Sequence, residues 1–257
     1  MQRIVGFLIV VLMNLWVYLI LFLWTVIGSL ISLPAWIVFR TTLRWRTPKI
    51  MHYFVWIYGK ICMLIFQPFV QFRKRHLLPH RLPASGIIIM NHYSFFDTFM
   101  LGALPVFDGY LCLRSWPFKM FWYYLFIRAA GYIDIERSSW DTIVAYAKKR
   151  IEEKSYIMIF PEGHRSRTGN LGRFYSGAFK LSVELKIPIL PLCISGTQTL
   201  LPPGRFWLKP ATVVMEQLEP VYSDAFMKED GHIEMRKYVK QKMAETVSRL
   251  EKEYQIA

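Results

Sequence analysis

At 257 residues the chain can bury one substantial core, and its 54% hydrophobic, 16% aromatic composition excludes a disordered chain and is rich for a domain surrounded only by water. Lys and Arg outnumber Asp and Glu by 32 to 18, a net charge of +14, which favours anionic partners. No recognition-helix, zinc-finger or RNA-binding signature accompanies that charge, so anionic lipid fits it better than nucleic acid.

The first element is apolar. Ile4 through Phe39 contains no charge, and as one helix it would run about 54 Å, longer than a single bilayer crossing. A secretory signal would have a shorter apolar region and a small-residue cleavage site. Gly28 and Pro34 therefore suggest a break, giving a spanning helix plus a second helix, or a re-entrant hairpin. Arg40, Arg44, Arg46 and Lys49 follow at once, and such a cluster beside a membrane segment marks the cytoplasmic side. The stretch from Ile50 to Phe72 is interrupted by His52, Lys60 and Pro68. It reads as interfacial, with Trp56, Tyr58 and the basic group Arg73, Lys74 and Arg75 at a headgroup boundary, or alternatively as a buried core helix.

Beyond about residue 83, short β-branched runs alternate with helical periodicity, the pattern of an α/β domain. Strands are expected at 86–90, 110–113, 132–135, 156–160, 189–193 and 211–215, and helices at 94–104, 117–128, 140–154 and 176–185. Met235, Val239, Met243, Val247, Leu250 and Tyr254 fall three or four apart and define the apolar face of a last helix covering the sheet. The expected architecture is an α/β fold with a mixed sheet flanked by helices, preceded by an N-terminal hydrophobic membrane-anchoring helical segment: residues 1–72 as anchor and 73–257 as the α/β catalytic unit. Cys62, Cys112 and Cys193 sit singly in apolar runs without metal-ligand spacing, and are read as buried, reduced thiols.

Three clusters carry chemistry. Asn91-His92-Tyr93-Ser94-Phe95-Phe96-Asp97 follows the apolar strand 86–90, which puts His92 at a strand's carboxyl end, where α/β sheets bind ligands. On a continuous helix His92 and Asp97 would point some 140° apart, at about 100° per residue. Ser94-x-x-Asp97 reads instead as a capping box that bends the chain between them. Asp97 would then accept the His92 Nδ1 proton and leave Nε2 as a general base for a hydroxyl; the alternative is that Asp97 only caps and His92 only completes a turn. Phe160-Pro161-Glu162-Gly163-His164-Arg165-Ser166-Arg167 follows a second apolar strand. Arg165 and Arg167 beside a Gly turn suit a phosphate, and Glu162 is placed to order those guanidiniums or receive a glycerol hydroxyl; a solvated surface turn is the alternative. Gly131 to Arg137 ends a strand in an arginine able to join the grip, the alternative being a charged strand terminus and nothing more. The aromatic run 116–124 and the loop 200–207, with Pro202, Pro203, Phe206 and Trp207, are set to meet lipid or to wall an acyl channel, though core packing accounts for most of the first.

Together these clusters resemble the lysophospholipid acyltransferase family, especially the bacterial-type 1-acylglycerol-3-phosphate acyltransferases. Asn91-His92 through Asp97 is similar to the family's first motif, Ile135-Glu136-Arg137 to its second, Phe160-Pro161-Glu162-Gly163 with Arg165-Ser166 to its third, and Ile187-Pro188-Ile189-Leu190-Pro191 to its fourth. The resemblance runs from about residue 70 to 222. It implies His92 as catalytic base with Asp97 in support, and Arg137, Glu162, Gly163, Arg165, Ser166 and Arg167 as acceptor-binding residues. It implies acyl transfer to the sn-2 hydroxyl of lysophosphatidic acid, with no bound cofactor or metal and with acyl-CoA or acyl carrier protein as donor, in a bacterial inner membrane with the catalytic unit on the cytoplasmic face. Other lysophospholipids or glycerol-3-phosphate are alternative acceptors, and a non-catalytic membrane-surface binder is the alternative from another class. His164, Arg114 and Tyr175-Ser176 depart from the usual motif residues and bear on the acceptor headgroup.

Overall fold

The structure, a computed structural model, describes residues 2–77 and 82–256; of Gln2, Arg3 and Trp122 only the backbone belongs to that description. The chain opens with α1 (Gln2–Thr41) and α2 (Thr47–Phe66), joined by a short turn and packed side by side. Both are long and apolar enough to cross a membrane by length and composition.

The expected break in the first apolar stretch is absent. Helix α1 runs unbroken through Gly28 and Pro34 for 40 residues, about 60 Å at ~1.5 Å per residue. Proline removes one donor but leaves neighbouring turns intact, and hydroxyls of Thr25, Ser29 and Ser32 bond back to the carbonyls of Leu21, Thr25 and Ser29 around it. The second arm of the hairpin is α2 instead. The stretch 50–72, read as interfacial or as a buried core helix, divides between a helix and a strand. Helix α2 stops at Phe66, ahead of Pro68, and the chain turns into a strand at Val70. One face of α2 is buried, through Ile50, Cys62, Met63, Ile65 and Phe66. His52 is buried too, its ring nitrogens 2.8 Å from Asp108 Oδ1 and 2.9 Å from Ala130 O. Arg75 lies 2.5 Å from Glu253 and 3.4 Å from Glu216.

Seven strands among the described residues form one mixed sheet: β1 (Val70–Arg75), β2 (Gly86–Met90), β3 (Gly109–Leu113), β4 (Ile133–Asp134), β5 (Tyr156–Ile159), β6 (Ile189–Ser195) and β7 (Ala211–Gln217), in the order β1-β7-β6-β2-β5-β3-β4. Only the β6–β7 pair is antiparallel, so β6, β2, β5, β3 and β4 all end at one edge. The short runs were legible because these strands are covered on both faces. Ile88 and Met90 face the side of α1 and α2, while Ile87 and Ile89 face α5 (Gly177–Leu185) and α7 (Gly231–Glu253). Met235, Val239, Met243, Val247 and Leu250 of α7 are all buried, as their spacing predicts. Helices α3 (Phe121–Ala129), α4 (Trp140–Glu152) and α6 (Thr197–Leu200) complete the chain.

Two expected helices differ in detail. Residues 117–128 divide into a turn at Pro117–Lys119 and then α3, and the segment after β2 is a 3₁₀ helix, Phe95–Ala103. That 3₁₀ helix crosses α2 with backbones nearly touching: a Cβ on Gly59 would lie 2.5 Å from Phe99 O, and one on Gly102 would strike the backbone of Gly59 and Lys60. Side chains at either glycine would push apart the elements that carry His52 and Asp97. Gly102→Val should therefore lower stability by about 3 kcal/mol, read as a drop in the thermal unfolding midpoint in detergent; an unchanged midpoint would contradict this crossing.

Candidate active site

Strand β2 delivers Asn91 and His92 past its last residue. Asn91 fixes that end of the sheet: its Nδ2 donates to Ile194 O and its Oδ1 accepts from Ile194 N, both at 2.7 Å, tying β2 to β6. The chain then bends at Ser94, whose Oγ accepts from Phe96 N at 3.0 Å and caps the 3₁₀ helix. Ser94 and Asp97 form a capping box, and the bend swings the Asp97 carboxylate back toward the strand end. Asp97 Oδ2 receives three hydrogen bonds, from His92 Nδ1 at 2.8 Å, Tyr93 N at 2.6 Å and Ser94 N at 2.8 Å. The Asp97 side chain is 0% exposed and that of His92 16%, so one ring edge meets the surface while the carboxylate is shielded. The ring stacks on Phe160, centroids 4.1 Å apart.

The second cluster arrives by register. Strand β5 lies parallel to β2 with Ile89 opposite Ile159; three residues further on each strand come His92 and Glu162. Glu162 is buried, and its two oxygens accept from His92 N at 2.8 Å and Gly172 N at 2.7 Å. Ser166 N donates to His92 O at 2.8 Å. The backbone of His92 is thus held at its N–H and its C=O by the loop that follows β5. This corrects one expectation: Glu162 orders backbone amides, not guanidiniums, because the register turns it toward β2. Gly163, at φ +69°, provides the left-handed turn that directs the chain away after Glu162. Burial pushes the Glu162 carboxyl above its ordinary 4.5, and the hydrogen bonds from His92 and Gly172 oppose that rise.

Arg165 and Arg167 are exposed, without an ion pair or hydrogen bond to another described residue. Arg137 lies apart from them. Strand β4 is two places beyond β5, about 10 Å sideways at ~4.8 Å per strand, and Arg137, 68% exposed, sits 3.8 Å from Asp134. In the same loop Glu136 accepts from Ser115 N and from Arg114 Nε, which hold its carboxyl below the ordinary 4.5. Arg114 is therefore compensated, whereas Arg165 and Arg167 leave positive charge open beside His92. Sequence reasoning assigned no role to the Asn91 amide, the Phe160 ring or Gly172; the buried setting of an Asn at a strand end was the available signal for the first. The three cysteines are free and buried, as expected, and burial pushes the Cys112 thiol up to about 12.

A family model described as Acyltransferase matches residues 70–195. A 1-acyl-sn-glycerol-3-phosphate acyltransferase from Saccharomyces cerevisiae is 30% identical over 173 residues, covering 64% of this chain and 56% of that protein. One from Cocos nucifera is 27% identical over 58% of this chain and 51% of its own length, and one from Salmonella typhimurium is 32% identical over 43% of each. The chain thus spans about half the length of the curated relatives it matches. The crystal structure of the 1-acyl-sn-glycerophosphate acyltransferase PlsC from Thermotoga maritima superposes with a TM-score of 0.76 over 98% of both chains at 23% identity, a likeness of fold.

Because the folded chain holds the Glu162 proton more tightly than the unfolded chain does, ionising this group costs stability as pH climbs from 4.5 through its folded value. Glu162→Gln should flatten that part of the stability curve, measured by urea unfolding from about pH 4 to about pH 7. A variant that keeps the wild-type slope would remove Glu162 as its source.

Proposed function

We propose, from the Acyltransferase family model that matches residues 70–195, that this chain is an acyltransferase moving a fatty acyl group from an acyl thioester to the sn-2 hydroxyl of lysophosphatidic acid, forming phosphatidic acid. The observation that carries the proposal is the His92–Asp97 pair, 2.8 Å apart at the end of β2, with its carboxylate shielded and its ring edge open. With Nδ1–H donated to Asp97, the lone pair on Nε2 faces outward and takes the proton of the sn-2 hydroxyl. The oxygen attacks the thioester carbonyl, the tetrahedral oxyanion collapses, and the C–S bond breaks. The departing thiolate recovers the proton from Nε2. His92 thus ends as it began, and no side-chain nucleophile is needed.

The acceptor's phosphate is bound by Arg165 and Arg167, with Arg137 reaching in from the β4 side. Their open charge at the β5 loop supports this reading, since fixing the phosphate orients the hydroxyl on His92, and such positioning supplies several kcal/mol of barrier reduction. Glu162, Gly163 and Ser166 serve the same site by shaping and holding the loop on which His92 rides. The donor is acyl-CoA or acyl carrier protein, either of which is acidic enough to suit a chain of net charge +14. The helices α1 and α2 act as the membrane anchor and the unit from β1 onward, which takes in residues 70–72 of the expected anchor, as the catalytic unit, placed on the cytoplasmic face, with the basic cluster Arg40, Arg44, Arg46 and Lys49 supporting that side.

His92→Ala should lower the rate of phosphatidic acid formation from lysophosphatidic acid and acyl-CoA at least about 1000-fold, read by lipid mass spectrometry, with the protein still folded in the membrane. Turnover at the wild-type rate would sink the base assignment. Arg165→Gln should raise the KM for lysophosphatidic acid about tenfold or more, the cost of one charge-assisted contact. If KM rose equally for an uncharged acceptor, Arg165 would not be reading phosphate.

A further inference from the structure

Helix α1 carries a buried amide where lipid contact alone would call for none. Asn14 is 3% exposed and every polar atom of its side chain is engaged. Its Nδ2 donates to Leu208 O at 2.9 Å and to Val10 O at 2.8 Å, and its Oδ1 accepts from Leu208 N at 2.9 Å. The reciprocal pair with Leu208 imitates one rung of a sheet. One turn along α1 the Tyr18 hydroxyl donates to Phe206 O. Two side chains of the anchor therefore grip the backbone of the loop between α6 and β7.

The other end of that loop reaches the catalytic bend. Leu201 O accepts from Ser94 Oγ at 2.6 Å, and that same Oγ caps Phe96 N at the start of the 3₁₀ helix that carries Asp97. Within the loop, Arg205 Nη2 donates to Thr199 O and Leu200 O at 2.5 and 2.8 Å, and Lys209 N donates to Leu200 O at 3.1 Å, closing its base. Hydrogen bonds joined by the backbone of residues 200–209 thus link Asn14 and Tyr18 to Ser94, and so to the His92–Asp97 pair.

What the loop presents outward is apolar. Phe206 is 88% exposed and Trp207 44%, large rings that a water-facing loop has no reason to display together. They stand beside Tyr18, and Leu15 and Leu19 on either side of Tyr18 are exposed on the same helix, so the loop extends the apolar face that α1 offers to lipid. Lys209 is exposed close by, a cation suited to anionic headgroups.

We propose that residues 201–208 form a second lipid-docking element, and that its seating on the bilayer beside α1 holds Ser94 and thereby the geometry of the His92–Asp97 pair. The occupant is an anionic lipid surface. Asn14 and Tyr18 are positioning residues that act through the loop. The link to turnover rests on the acyl-transfer reading; the docking itself does not.

The test uses the full chain with Phe206→Cys carrying a polarity-sensitive fluorophore, the native cysteines being buried. On phosphatidylglycerol-containing vesicles the fluorophore should shift to the blue and be quenched by doxyl-labelled lipid. No shift on protein that floats with the vesicles would overturn the docking. A shift that follows protein concentration instead of lipid would assign the loop to contact between copies and overturn it as well. In Asn14→Leu, amide exchange of Tyr93, Ser94 and Phe96 should quicken about tenfold and kcat should fall about tenfold, with KM for lysophosphatidic acid within about twofold. Tyr18→Phe, a milder cut of the same link, should move both in the same direction and serves if Asn14→Leu does not fold. Unchanged exchange in a folded variant would overturn the coupling. A wild-type chain without turnover would sink the acyl-transfer reading, and the fluorophore and exchange results would still decide the loop.

Discussion

The parallel pairing of β2 with β5, Ile89 opposite Ile159, sends two loops off the sheet side by side and at the same height. Everything at the site descends from that pairing. The Glu162 carboxylate, too far along the sequence to belong with His92, meets its backbone N–H, and Ser166 meets its carbonyl. A histidine in a short loop would ordinarily sample several orientations, at a cost in entropy each time it was needed. Here both backbone groups of His92 are occupied, its ring is stacked on Phe160, and Nδ1 is committed to Asp97. One atom, Nε2, is left to do chemistry.

Asp97 meets a comparable demand on the other side. Buried carboxylates are costly unless several donors surround them, and Asp97 Oδ2 collects three, two of them backbone amides that the Ser94 bend aims at it. The capping box therefore does more than start a helix: the hydrogen bonds that satisfy the helix end are the ones that fix the histidine. The close crossing at Gly59 and Gly102 then locks this 3₁₀ helix onto α2, so the His92–Asp97 bend and the apolar helical hairpin share one packed interface. Hairpin and site are one packed unit, and the contacts from Asn14 through Leu208 to Ser94 are a second path between them.

Charge is distributed with the same economy. Arg114 is spent on Glu136 and Arg75 on Glu253 and Glu216, so the excess of basic residues does not translate into a uniformly positive surface. Arg165 and Arg167 are exposed and left open on the loop that holds His92, which concentrates attraction for an anion there, as the proposed phosphate site requires.

Local pattern settled a good deal. Apolar β-branched runs marked β2, β5 and β6 because each is covered on both faces, the α7 heptad-like spacing marked its buried side, and Ser94-x-x-Asp97 announced the bend, since capping depends only on residues a few positions apart. The failures share a cause. Pro34 looked like a break, yet in an apolar helix the backbone keeps its internal bonds and nearby hydroxyls assist. The strand β1 was hidden in a basic stretch because its assignment comes from pairing with β7, 141 positions away by the Val70–Ala211 register. Composition, periodicity and short motifs thus determined the class of fold, the apolar N-terminal helical segment and the His92–Asp97 turn, all governed by neighbours in the chain. The partners of Glu162, Asn91 and Asn14 were decided by tertiary structure alone, because each bonds to backbone brought near only when the sheet sets its order and the hairpin packs against it.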